Sequence, residues 1–109
     1  RKAMDQERIL RQYQELKQKL LEVDFICPGS VTRIFQECGK PNCRCHQGKK
    51  FRHGPYYLWT RKVHGKTVTR QLTEQQALQC KQWIGNNRKL RTIIKQMQKL
   101  SSRAAPWCR

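Results

Sequence analysis

A chain of 109 residues carrying 24 Lys+Arg against 7 Asp+Glu has room for one small domain and too little apolar content for a large single core. No run of about 18 apolar residues occurs, which argues against a membrane span, and residues 1–20 are too evenly charged for a secretion signal. The net charge of +17 is unevenly placed: residues 1–27 hold six bases and five acids, residues 28–72 hold ten bases and only Glu37, and residues 73–109 hold eight bases and only Glu74. The middle and the end therefore present an unneutralised cationic field, which attracts polyanions. Nucleic acid is the expected partner, ahead of an anionic membrane or an acidic protein.

In chain order, residues 1–27 read as an N-terminal heptad helix centred on 4–22. Ile9, Tyr13, Leu16, Leu20 and Val23 recur at steps of four and three, with Glu7/Arg11 and Glu15/Lys19 as favourable i,i+4 pairs. Pro28-Gly29 is expected to stop the helix and turn the chain. Residues 28–72 read as short strands around a metal knuckle: Ser30–Gln36, then a hairpin of Tyr56–Val63 and Lys66–Leu72 closed by His64-Gly65. That two-residue turn sets Val63 opposite Lys66, Arg61 opposite Val68, Trp59 opposite Arg70 and Tyr57 opposite Leu72. Residues 73–100 read as a C-terminal helix opened by a capping box, Thr73-Glu-Gln-Gln76. Its seam is expected at Cys80, Trp83, Asn87, Leu90, Ile94 and Met97, and residues 101–109 are expected to form a disordered basic tail.

The fold expected is α+β: two long heptad helices flanking a small three-stranded antiparallel sheet with a zinc knuckle. The helices pack together as an antiparallel stalk, or pair as a coiled coil with a second copy or a protein partner.

The knuckle is the string Cys38-Gly-Lys-Pro-Asn-Cys43-Arg-Cys45. Three thiols within eight residues, in a chain without a secretion signal, point to metal rather than disulfides. Zinc takes four tetrahedral ligands, so one structural Zn2+ is expected on Cys38, Cys43, Cys45 and His53, the last in a His-Gly-Pro turn before the hairpin. His46 and Cys27 are rivals for the fourth place. Four protein ligands leave no open position for catalysis, and a single acid in the middle segment cannot furnish a two-metal site, so no enzyme is expected.

Lys40, Arg44, Lys49, Lys50 and Arg52 crowd the knuckle, and Arg61, Lys62, Lys66 and Arg70 come from the hairpin, interleaved with aromatics such as Tyr56. With Arg88, Lys89 and Arg91 of the last helix they form the expected nucleic-acid surface, the cations meeting phosphates and an aromatic face stacking bases. Tyr57 and Trp59 are expected to be mainly core.

The strings Pro28-Gly-Ser30, Cys38-Gly-Lys40-Pro-Asn-Cys43-Arg-Cys45, His53-Gly-Pro-Tyr-Tyr57 and Gly65-Lys66-Thr-Val68 resemble a family of short basic bacterial and phage proteins, often encoded near mobile-element genes. The resemblance covers about residues 10–100. It implies that Cys38, Cys43, Cys45 and His53 act as one set, and that the protein works beside a transposase or recombinase. The function expected is a zinc-stabilised nucleic-acid-binding accessory protein, with DNA favoured over RNA, in the cytoplasm and associated with the nucleoid. The alternatives are an RNA-binding subunit of a ribonucleoprotein and a coiled-coil interaction adaptor.

Overall fold

A computed structural model describes residues 2–108, with side chains from residue 5 onward; Arg1 of the expected N-terminal helix and Arg109 of the expected tail lie outside the described residues. The elements run α1 (Lys2–Leu21), β1 (Ser30–Gln36), two single-turn 3-10 helices (Arg44–Gln47 and Lys49–Phe51), β2 (His53–Val63), β3 (Lys66–Leu72), α2 (Glu74–Ala104) and a last 3-10 turn, Pro106–Cys108. The chain divides into two compact units: Arg1–Ile26 with Gly85–Arg109, and Cys27–Ile84.

The first unit is a pair of helical segments. Ile9 and Leu16 from α1 and Ile93 and Leu100 from α2 are buried together, with Tyr13, Leu20, Val23, Met97 and Ala104 packed around them. Removing each such side chain from water contributes about 1.5–3 kcal/mol. The segments run antiparallel: the Gln6 side-chain amide donates to the Ala104 carbonyl at 3.3 Å, and Asn86 donates to the Phe25 carbonyl at 2.9 Å. The α1 stripe is the one its four-three spacing predicts. Two expectations need correction. α1 ends at Leu21, within a residue of the limit expected near Glu22, but bonds from Glu22 to Lys19 and from Val23 to Leu20 close it, not Pro28-Gly29. Glu7/Arg11 and Glu15/Lys19 do not close, since the one ion pair among the described residues is His46–Glu37. Exposed pairs gain little over hydration, so their long side chains have little reason to be held together.

The second unit carries the sheet, ordered β1-β2-β3 and antiparallel throughout. The hairpin register is the one set by the turn, from Val63↔Lys66 to Tyr57↔Leu72. His64 (φ 50°) and Gly65 (φ 79°) both take positive φ, the condition of the type I′ turn that matches strand twist. Thr60 and Thr69, directly opposed, join their hydroxyls at 3.2 Å. β1 pairs with β2 from Ser30↔Thr60 to Gln36↔His53, with a register shift between Ile34 and Gln36. Gly54 lies against that irregularity at φ 138°, where a Cβ would come within 2.8 Å of the Ile34 carbonyl oxygen. Pro28 is anchored by its carbonyl, which accepts from the Trp59 indole at 2.8 Å.

α2 begins with the reciprocal cap: Gln76 N–H donates to Thr73 Oγ1 at 3.2 Å, and Thr73 N–H donates to Gln76 Oε1 at 3.0 Å. Its buried stripe differs from the expected seam. Ala77, Cys80 and Ile84 are buried in the sheet unit, and Ile93 and Leu100 in the helical unit, while Ile94 is exposed and Trp83 half-buried. From Ile84 to Ile93 is about two and a half turns at 3.6 residues each, so the two stripes are out of phase and no single heptad seam describes them. The helix also continues to Ala104 in place of the disordered tail expected from Ser101. Tyr57 and Trp59, expected as core, are half-buried.

Candidate metal centre

Sheet pairing assembles the cluster. β1 delivers the chain to Cys38 two residues after Gln36, and Gln36 is the partner of His53, the first residue of β2. The ladder therefore places the ends of a sixteen-residue excursion side by side, and the excursion folds back through two 3-10 turns, the first preceded by Cys43 and containing Cys45. The Sγ atoms of Cys38, Cys43 and Cys45 and a ring nitrogen of His53 all lie within 4.8 Å of one another. Cys38 Sγ is 3.5 Å from Cys45 Sγ, and Cys43 Sγ is 3.2 Å from His53 Nε2. A tetrahedron with metal–sulfur bonds of about 2.3 Å has edges of about 3.8 Å, so this donor set fits a single metal ion with little movement. Cys45 is completely buried, Cys38 and Cys43 are half-buried, and His53 is exposed.

Backbone amides already orient the sulfurs: the Cys38 N–H points at Cys45 Sγ at 3.2 Å. Hydrogen bonds lower the Cys43 thiol to about 6, first from the Cys45 backbone, then from His53 and the neighbouring thiols, so this sulfur is disposed to ionise. Burial pushes the Cys45 thiol up to about 11, which a cation bound among these ligands would reverse.

The two rivals for the fourth place are otherwise engaged. His46 Nε2 faces the Lys40 carbonyl at 2.8 Å and Nδ1 faces the Glu37 carboxylate at 3.1 Å. Both partners are acceptors. The backbone carbonyl first and the carboxylate second raise its pKa, favouring the imidazolium, which has no lone pair to offer a metal. His46 instead clasps the knuckle from outside. Cys27 lies with Cys80, outside the cluster, their sulfurs 3.9 Å apart.

The cations expected to meet nucleic acid fall into distinct groups. Arg44 and Lys50 are exposed and share the Phe51 ring, at 4.4 Å and 5.0 Å from its centroid, while Lys40, Lys49 and Arg52 stand exposed on the same excursion. Lys62 and Lys66 are exposed beside the hairpin turn, and Arg70 is exposed on β3. Tyr56 is half-buried. Arg61 differs from the expectation of a free surface cation: it is half-buried, stacked 3.9 Å from the Trp59 ring, with Nη1 buried and lacking a hydrogen-bond partner. Arg88, Lys89 and Arg91 are exposed in the helical unit.

Sequence reasoning missed the platform role of Phe51, and the similar stacking of Arg33 on Phe35 at 5.0 Å. The signal was present in the two phenylalanines that bracket the cysteine string. It also missed that His46, nine residues after Glu37 and six after Lys40, is a clasp rather than a ligand.

The fold and cluster define a small α+β protein built around one possible Cys3His metal site. Residues 6–82 match the family described as Domain of unknown function (DUF6788), and the chain belongs to that family. No curated protein and no solved structure matches the chain.

Proposed function

We propose that this protein is a zinc-stapled nucleic-acid-binding accessory factor, favouring DNA over RNA, that serves a transposase, recombinase or other mobile-element nucleoprotein. Zinc is the metal favoured by three thiolates and one imidazole in tetrahedral array, and a shell closed by four protein ligands makes its role structural rather than catalytic. The observation that carries the binding reading is the state of the cations. The chain has 24 Lys and Arg side chains, and among the described residues none forms an ion pair with an acid of its own chain. Those on the excursion are presented by a loop that the metal would hold rigid, with Arg44 and Lys50 steadied on Phe51.

Binding of the metal-loaded protein to duplex DNA, single-stranded DNA and structured RNA across a salt series tests this. Affinity should fall steeply with salt, roughly as the number of phosphates contacted, with duplex bound most tightly. Neutralising Arg44 and Lys50 to Gln should weaken binding to every sequence alike and flatten the salt dependence. Affinity that ignores salt, or that is no greater than that of a neutral domain, rejects the proposal. A preference for RNA moves it to a ribonucleoprotein subunit.

A second reading has its own observation. Leu10 is 59 % exposed, Ile94 41 % and Trp107 87 %, leaving apolar surface on the helical unit. A coiled-coil adaptor docking a partner or a second copy there would form complexes insensitive to salt, without affinity for nucleic acid.

A further inference from the structure

Cys27 and Cys80 take no part in the cysteine–histidine cluster, yet their sulfurs lie 3.9 Å apart across 53 positions of sequence. Both belong to the sheet unit, which begins at Cys27 and ends four residues after Cys80, at Ile84. Cys80 is buried between Ala77 and Ile84 on α2, and Cys27 is half-buried. The backbones are already tied, the Cys27 N–H donating to the Trp83 carbonyl at 3.1 Å.

We propose that Cys27 and Cys80 form a reversible disulfide when the protein meets a hydroperoxide, closing the two ends of the metal-bearing unit with a covalent staple that does not depend on the metal.

Three features support the pairing. The sulfurs must close from 3.9 Å to about 2.05 Å, and Cys27 lies between Leu21 and Ser30, outside any helix or strand. Arg61 adds a cation close enough to favour the Cys80 thiolate. Cys27 is the more accessible sulfur, and burial pushes the Cys80 thiol up to about 11, so Cys27 attacks first and Cys80 resolves.

The chemistry closes. The Cys27 thiolate attacks one peroxide oxygen; a sulfur–oxygen bond forms, the oxygen–oxygen bond breaks, and the leaving hydroxide takes a proton to become water. The Cys80 sulfur then displaces the hydroxyl of the sulfenic acid; the sulfur–sulfur bond forms, the sulfur–oxygen bond breaks, and the Cys80 proton leaves in a second water. Two thiols lose two electrons in all, and one peroxide accepts them.

The test uses the full chain, metal-loaded, carrying Cys108→Ser to remove the exposed thiol that could link two molecules. After one equivalent of hydrogen peroxide, peptide mapping without reductant should find Cys27 joined to Cys80, about 2 Da lighter than the separate peptides and released by dithiothreitol, with the metal retained. The oxidised protein should unfold about tenfold more slowly than the reduced one when a chelator is added, because the long loop is closed. Cys27→Ser and Cys27→Ala should each abolish both effects while binding metal normally. The inference is overturned if both thiols stay open to alkylation, if each proceeds separately to sulfinic acid, or if the only cross-links form among Cys38, Cys43 and Cys45. None of these readouts depends on nucleic acid, so the fate of this inference and that of the binding function are separable.

Discussion

The helical unit buries Ile9, Leu16, Ile93 and Leu100 against one another, whereas the sheet unit buries Ala77, Cys80 and Ile84 on a single helix and, beyond them, only Cys45. In the first, apolar area removed from water does the work, in the manner of any small helix pair. In the second, every strand is at most half-buried, and the one completely enclosed sulfur, that of Cys45, belongs to the possible metal site. A three-stranded sheet with so little cover is marginal by itself, and a metal held by the cluster would supply what packing does not. The two units should therefore fail under different insults.

The largest effect is expected from metal removal. A chelator at neutral pH should strip hydrogen-exchange protection from the amides of β1, β2 and β3, because apparent binding energies of about 10–16 kcal/mol for such sites are folding energy. Protection at Leu16 and Leu100 should outlast it; simultaneous loss of both would erase the distinction between the units. Next comes Leu16→Ala, a cavity in the aliphatic seam. It should lower stability by about 2–4 kcal/mol, read by denaturant titration, with metal content unchanged at one ion per chain.

Gly54→Ala sharpens the comparison from the other side. The positive φ and the approach to the Ile34 carbonyl leave no room for a methyl group, so β2 must shift and carry His53 with it. A cost of about 1–3 kcal/mol is expected, accompanied by weaker metal retention in a competition with a colorimetric chelator, which Leu16→Ala should not show. The smallest effect falls on His46→Gln. It removes a clasp rather than a ligand, so about 1 kcal/mol is expected in thermal unfolding with the metal kept, whereas His53→Ala should release it. Metal lost from the His46 variant and kept by the His53 variant would reverse the ligand assignment.

What was legible in the sequence follows from how local each signal is. The β2–β3 register was fixed by two residues, His64 and Gly65, because the only hairpin turn they suit leaves no freedom of alignment. The capping box at Thr73 and the α1 stripe were local in the same sense. The α2 stripe was not. A single four-three seam read from Cys80 onward assigns Trp83 and Ile94, but the helix serves two units, and its buried residues change phase between Ile84 and Ile93. Periodicity cannot reveal that, because it assumes one partner along the whole length. The cysteine spacing named three members of the cluster, and the His-Gly-Pro turn the fourth. The exclusion of His46 needed coordinates, since only the positions of Glu37 and the Lys40 carbonyl show both ring nitrogens committed. Arg61 was misjudged for a related reason: its charge suggested solvent, while its neighbour two residues back, Trp59, offered a ring to lie on.

The pairing of Gln36 with His53 has a consequence for how the protein reaches its folded state. Alternate residues of a strand point to opposite faces, so a slip of one position between β1 and β2 would turn the imidazole away from the three sulfurs. Only the correctly aligned ladder presents four donors to one ion. A metal bound there would thereby act as a check on strand alignment: misaligned chains would hold it too weakly to be trapped by it and would be free to separate and try again.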